Sequence, residues 1–132
     1  MKQFIFLEIL ICGTMASLPE KIQHLLDSLH ATCVSKIGVS EDIFVGIKSG
    51  DFVPDPKLKC YLHCCLNELG LITDDGKVDV EKSIASLPDF MKDYATPVFV
   101  KCGSQAGTDV CDVVFNTLKC YYEMDKRAFV LP

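Results

Sequence analysis

Residues 55–70, DPKLKCYLHCCLNELG, contain the pattern that decides the fold. Aspartate followed by proline is typical of a helix N-cap and first helical position, and Gly70 suits the helix end. At 100° per residue the leucines share one face with a cysteine, whereas Cys60 and Cys64 lie roughly opposite. Since Cys60 and Cys64 are poorly placed to bond each other, each is expected to join this helix to a different element. The apolar face comprises Leu58, Leu62, Cys65, Leu66 and Leu69.

Helical periodicity continues on both sides of this segment, and strong strand alternation is absent. Six helices are predicted, which makes the fold class all-α. The first runs to Gly38, the second lies between Ser40 and Gly50, and the third is the helix above. Asp79 caps the fourth, Pro88 opens the fifth, and Thr108 caps the last, which carries Val110, Val114, Leu118 and Tyr121. The segment Thr73–Lys77 is predicted to be a polar turn, because its oxygen ligands do not match a calcium-binding loop.

The first 17 residues have the character of a secretory signal peptide. Lys2 precedes an apolar run from Phe4 to Cys12 that only Glu8 interrupts, and small residues follow up to Ala16. The run is too short to span a bilayer. The alternative is a buried amphipathic helix in a cytosolic protein, which the cysteine content disfavours. We therefore expect a secreted, extracellular protein, with residues 18–132 as a single domain and residues 124–132 as its C-terminal tail.

Cysteine is the most informative residue type, with eight in the chain. Loss of residues 1–17 would remove Cys12 and leave seven, which in a short secreted chain predicts three disulfides and one spare thiol. The spacing alone does not choose among the possible pairings. A zinc site is the competing interpretation, because Cys60, His63, Cys64 and Cys65 crowd one segment. Zinc sites usually draw their ligands from two separated short pairs, so no metal and no other cofactor is expected.

Composition and motifs narrow the function classes. The net charge of −5 argues against nucleic acid and anionic membrane as main partners. A secreted phospholipase would need a His-Asp pair after adjacent cysteines, whereas His63 here precedes Cys64 and Cys65. No nucleophile elbow or metalloprotease motif is present in the sequence, so the protein is not expected to be an enzyme.

The cysteine spacing resembles that of the insect pheromone- and general-odorant-binding proteins of the six-cysteine type. The intervals between the paired cysteines contain 26, 3, 37, 8 and 8 residues. The resemblance implies a disulfide-stapled six-helix fold around an internal apolar cavity, with the bridges Cys33–Cys64, Cys60–Cys111 and Cys102–Cys120. Because Cys65 directly follows Cys64, either of them could be the bonded one, although the three-residue gap favours Cys64. We expect Cys65 to be a buried free thiol; a reactive nucleophile or an intermolecular bridge are the alternatives.

The resemblance also implies a small apolar ligand held by aliphatic and aromatic walls. Tyr121 or Tyr122 could offer a hydroxyl to that ligand, and the tail is expected to cover the pocket, so that deletion of residues 126–132 weakens retention. Acid release through His24, His30, His63 and the terminal carboxylate is a further hypothesis. The predicted ligand-binding residues are Leu62, Cys65, Leu66, Leu69, Met91, Val98, Val114, Phe115, Leu118, Tyr122 and Phe129.

The expected function is a secreted carrier that binds and transports small hydrophobic ligands such as odorants or pheromones. The alternative is a secreted non-olfactory lipid or amine scavenger, or a signalling or defence protein, on the same scaffold. A membrane odorant receptor is a candidate second partner, nucleic acid is not, and a monomer or weak homodimer is expected.

Overall fold

The structure, a computed structural model, describes residues 18–132; the predicted signal peptide lies outside the described residues. Six α-helices follow one another along this part: α1 Glu20–Ile37, α2 Phe44–Lys48, α3 Pro56–Glu68, α4 Val80–Ala85, α5 Asp89–Cys102 and α6 Val110–Met124. Short 3-10 turns precede α2 at Glu41–Ile43 and follow α6 at Lys126–Ala128. Within residues 18–132 the β pairing is one isolated bridge, between Ile72 and Val78. The all-α prediction of six helices is confirmed.

The helix starts show how local chemistry places these elements. The Asp55 carboxylate accepts hydrogen bonds from the backbone amides of Lys57 at 2.8 Å and Leu58 at 3.2 Å, which satisfies two unpaired donors at the start of α3. Asp79 accepts from the Lys82 amide at 3.0 Å and caps α4 in the same way. Both predicted caps are confirmed.

The predicted cap of the last helix was wrong by one residue. Asp109, rather than Thr108, caps α6 by accepting a hydrogen bond from the Asp112 amide at 2.8 Å. Thr108 instead donates its own backbone amide to the Asp112 carboxylate at 3.0 Å. Two adjacent residues that can both cap a helix are not separable by sequence, and here the charged side chain takes the position.

Three disulfides connect the helices. Cys33–Cys64 joins α1 to α3, Cys60–Cys111 joins α3 to α6, and Cys102–Cys120 joins α5 to α6. These are the pairs that the resemblance implies, and α3 is linked to two different helices. The three covalent loops interleave, because Cys60 lies within the first loop and Cys102 within the second. Together they span residues 33–120 and leave most of α1 and the whole tail outside any covalent loop.

The core is centred on α3, which packs against both α1 and α6. Because α3 is covered from two sides, its buried surface is wider than the predicted leucine face and also includes Tyr61 and Cys64. Leu69, by contrast, is 38% exposed, because it follows the end of the helix at the surface. The turn at Thr73–Lys77 is closed by a 2.8 Å bond from the Thr73 amide to the Lys77 carbonyl. Gly76 adopts φ 83°, and a side chain there would collide with Val110.

Candidate functional site: an apolar cavity

An apolar cavity of about 210 Å³ lies between the first half of α1, the end of α3, α4, α5, α6 and the tail. Its volume is below the roughly 300–1,000 Å³ of pockets for drug-sized ligands, so it suits a smaller molecule. Leu25 and Leu69 are half-exposed at its edge and mark where it meets solvent. The lining residues are Ile22, Leu25, Leu26, Leu66, Leu69, Leu71, Ser83, Ser86, Pro88, Met91, Phe99, Leu118, Tyr121, Ala128 and Val130.

The structure brings four of the predicted ligand-binding residues together around this cavity: Leu66, Leu69, Met91 and Leu118. The others lie elsewhere. Tyr122 and Phe129 line a separate open depression beside Ile47 and Lys48. The remaining five are buried in the packed core and are absent from the cavity wall: Leu62, Cys65, Val98, Val114 and Phe115.

Sequence reasoning missed the contribution of α1. Ile22, Leu25 and Leu26 form part of the cavity wall. Their helical spacing was visible in the sequence, but any amphipathic helix shows that spacing, whether it covers a filled core or a cavity. Leu71 was missed because it follows the helix, and Ser83 and Ser86 were missed because serine is not a typical residue of an apolar wall.

The tail closes one side of the cavity with Ala128 and Val130. Three sets of contacts fix it in place. Arg127 stacks over the Tyr94 ring at 4.2 Å and pairs with Asp125 at 2.7 Å. Phe129 packs against Phe52 and Tyr122 with ring centroids 5.2 Å and 6.2 Å apart, and the hydroxyl of Tyr61 donates to the Pro132 carbonyl at 2.8 Å.

His30 links the end of the tail to α1 and to the turn before α2. Its Nδ1 lies 2.8 Å from Tyr61 Oη and 3.2 Å from the Pro132 carbonyl, and its Nε2 lies 2.9 Å from Glu41 Oε2. A protonated ring would donate from both nitrogens, to Glu41 on one side and toward the tail on the other. Both ring nitrogens are engaged, so His30 holds the end of the tail against α1 and the turn before α2. Acid release through His30 stays a prediction.

The other two histidines lie away from the cavity wall. His24 is exposed, 3.7 Å from Glu20. Burial lowers the pKa of His63, and this effect is larger than the raising effect of the Asp109 charge. Protonation of His63 in acid would therefore oppose folding, because the unfolded chain binds that proton more readily.

Burial also governs the other titratable groups of the core. It raises the pKa of the Cys65 thiol to about 11 and raises that of Tyr61 further above its usual range. Both groups are therefore uncharged at neutral pH. Cys65 is a free, fully buried thiol, as expected.

Larger depressions on the surface have a different character. One of about 550 Å³ between residues 50–52 and the end of α6 is lined by charged side chains, including Lys119, Glu123 and Lys126. Such an open, charged surface stays hydrated and offers an apolar molecule little transfer free energy. In residues 18–132 no group of histidine, cysteine and acidic side chains is arranged to hold a metal ion. No helix of that part is long and apolar enough to cross a membrane.

The fold and the cavity together define a class of small helical proteins, cross-linked by three disulfides around an apolar pocket. The PBP/GOBP family matches residues 15–124, and the chain belongs to this family. General odorant-binding protein 69a of Drosophila melanogaster is 31% identical over 100 residues, which are 75% of this chain and 68% of that protein. The B1 protein of Tenebrio molitor is 29% identical over 123 residues, covering 92% of each.

Solved structures show the same architecture. The medfly odorant-binding protein CcapOBP22/CcapOBP69a superposes with a TM-score of 0.70 at 30% identity, over 77% of this chain and 89% of that one. A fatty acid binding protein, OBP56a from the oral disk of the blowfly Phormia regina, superposes with a TM-score of 0.66 at 25% identity, over 84% and 97%.

Proposed function

We propose that this protein is a secreted carrier that binds a small hydrophobic molecule in the cavity between α1, α3 and the tail, and transports it outside the cell. The observation that carries the proposal is the apolar cavity itself, about 210 Å³ within a chain of 132 residues. Transfer of apolar surface from water into such a cavity is favourable by roughly 25 cal/mol per Å².

Family membership supports a ligand-binding role rather than catalysis. Relatives are described as odorant-binding proteins, and the blowfly neighbour is described as a fatty acid binding protein. The part of the chain ahead of α1 supports secretion through its signal-peptide pattern, and three disulfides are typical of proteins from oxidising compartments. The apolar wall of the cavity suits an odorant, a pheromone or another lipophilic molecule.

A binding titration on the secreted protein tests the proposal. The full chain is expressed in insect cells, and the protein in the medium is purified under oxidising conditions. An apolar fluorescent probe is titrated, and odorants and fatty acids are then added as competitors. We expect saturable binding at micromolar concentration and displacement by apolar competitors. A folded, fully bridged protein that binds no probe would refute the carrier function.

The same preparation tests secretion. Mass spectrometry of the purified protein is expected to show an N-terminus near residue 17, with Cys12 removed. Retention of the chain inside the cells with residues 1–17 intact would contradict both the signal peptide and the extracellular role.

A further inference from the structure

Tyr121 lines the cavity, and its hydroxyl has no hydrogen-bond partner in the described part of the chain. Tyr121 is 3% exposed, and its Oη is shielded from water and bonds to no other atom of residues 18–132. Its ring is held in place by stacking on Phe99, with centroids 4.2 Å apart and 17° between the planes. Both residues line the cavity. A buried, unpaired hydroxyl is costly to the fold. A ligand acceptor that displaces the wall slightly beside Tyr121 would therefore gain by pairing with this hydroxyl.

The chemistry of Tyr121 makes this hydroxyl a donor. Burial raises the pKa of Tyr121 to about 12, so the group keeps its proton at neutral pH. A ligand atom that pairs with it must accept a hydrogen bond.

The rest of the wall limits the charge of the ligand. None of the lining residues is charged. The two serines in the wall already use their protons within α4 and its caps: Ser83 donates to the Asp79 carbonyl at 2.7 Å, and Ser86 donates to the Ser83 carbonyl at 2.8 Å. A carboxylate inside the cavity would find one side-chain donor and no cation, although a buried carboxylate needs several donors or a counter-charge.

We propose that the cavity selects neutral ligands with a single hydrogen-bond acceptor, such as an ester, ketone or alcohol oxygen, which receives the proton of Tyr121 Oη. This inference deepens the proposed carrier function and depends on it. Tyr121 is then the residue that orients the ligand and determines its polarity, while the aliphatic wall accepts the chain. Charged lipids of the same size are excluded from the interior.

Three ligands with the same number of heavy atoms test the proposal: methyl nonanoate, decanoate (the anion of its isomer decanoic acid) and dodecane. Each displaces the fluorescent probe from the wild type, from Tyr121→Phe and from Tyr94→Phe at neutral pH. Tyr94→Phe is the matched control, since it also loses one tyrosine hydroxyl, keeps the ring that stacks under Arg127, and lies outside the cavity wall. For the wild type we expect methyl nonanoate to bind at least tenfold more tightly than decanoate.

The variants separate the hydrogen bond from general packing. Tyr121→Phe is expected to weaken the binding of methyl nonanoate about threefold to tenfold and to leave the binding of dodecane unchanged, because only the ester uses the hydroxyl. Tyr94→Phe is expected to change neither. Thermal unfolding of Tyr121→Phe without ligand should occur at the wild-type temperature or above it, because the lost hydroxyl had no partner.

The outcomes distinguish this inference from the carrier function. Suppose that the probe and dodecane bind. The role of Tyr121 would then be overturned if Tyr121→Phe lost ester and dodecane affinity equally, or if it lost no ester affinity. The carrier function would still stand. Decanoate that binds as tightly as methyl nonanoate would overturn the selection for neutral ligands. Absence of binding by the probe and all three ligands would overturn both proposals.

Discussion

Cys65 lies fully buried on α3, directly after a cysteine that is paired with α1. A free cysteine next to a bonded one favours disulfide exchange during folding, since a thiolate attacks an existing disulfide. In the native state burial raises the pKa of Cys65 to about 11, so the thiolate is scarce at neutral pH. The thiol therefore acts as a small apolar side chain in the finished fold.

Labelling with a thiol reagent at pH 8 tests this view. In the native protein, Cys65 should react only as fast as the surrounding fold opens, because the thiol is both protonated and inaccessible. In denaturant one thiol per chain should react at once. Cys65→Ala serves as the control and should not react in either state. Rapid stoichiometric labelling of the native protein would show that Cys65 is a reactive, accessible thiol.

The ion pair between Lys59 and Asp112 lies beside the Cys60–Cys111 disulfide. Lys59 Nζ is 2.7 Å from Asp112 Oδ1, and both side chains are largely shielded from solvent. Hydrogen bonds from Lys59 and then from the Thr108 amide hold the pKa of Asp112 below its ordinary value of 3.8. The pair thus ties α3 to the first turn of α6.

Asp112→Asn should lower the free energy of unfolding at neutral pH. A carboxyl group whose pKa is lowered by folding stabilises the fold above its unfolded value of 3.8, and this contribution is lost as the pH falls through the lower folded value. The difference between wild type and variant should therefore shrink below about pH 4. Urea unfolding across the pH range measures it. Asp89→Asn is the control, since Asp89 is fully exposed 3.9 Å from Lys92, and it should have little effect. A pH-independent difference would contradict this account.

The tail contributes two neighbouring side chains with different surroundings. Val130 lines the apolar cavity, whereas Leu131 lies at two open depressions outside it. Val130→Ala removes two methyl groups from the cavity wall and should weaken an apolar ligand about fivefold to tenfold. Leu131→Ala should leave ligand affinity nearly unchanged.

Probe displacement and dissociation rates on the two variants make this comparison directly. Equal losses of affinity in Val130→Ala and Leu131→Ala would mean that the tail acts through its overall docking rather than as a wall of the cavity. Deletion of residues 126–132, which removes both surfaces at once, should weaken retention more than either single change.

Helix boundaries and caps were predictable because their causes are local. Asp55, Asp79 and the glycine after α1 act on backbone groups within a few residues, so the sequence contains the whole interaction. Gly38, at φ 75°, ends α1 in the left-handed conformation that glycine adopts easily. The cap of α6 was placed one residue too early, because Thr108 and Asp109 both suit that position.

The division between cavity wall and filled core was not predictable. Leu62 and Leu66 lie one turn apart on the same face of α3, yet Leu62 is fully buried in the core and Leu66 lines the cavity. That difference depends on where α1 and the tail cross α3, which is a property of tertiary packing rather than of spacing. Tyr61 was overlooked for the same reason, since its hydroxyl bonds to Pro132, 71 residues away.

At the scale of the whole molecule, three disulfides add to the stability of a core that contains a cavity. In the chain-entropy account a closed loop stabilises the fold by restricting the unfolded chain, and longer loops contribute more. The sequence separations are 51 residues for Cys60–Cys111 and 18 for Cys102–Cys120. The expected contributions are about 4 and about 3 kcal/mol, respectively.

Replacing each bonded pair by alanines tests this ranking. The Cys60→Ala/Cys111→Ala protein should unfold at a lower denaturant concentration than the Cys102→Ala/Cys120→Ala protein, and both should unfold below the wild type. Guanidinium unfolding followed by circular dichroism measures all three midpoints. The opposite order would show that local packing at the half-buried and buried cysteines outweighs loop entropy.

The covalent loops span residues 33–120, and two walls of the cavity lie beyond that interval. Ile22, Leu25 and Leu26 precede the first bridged cysteine, and Ala128 and Val130 follow the last. Because no disulfide holds either of these segments, local unfolding of one of them would open the cavity while the cross-linked interior stays folded. A ligand bound there, as proposed, would then leave through a local opening, so its residence time would depend on the docking of these two segments more than on the disulfides.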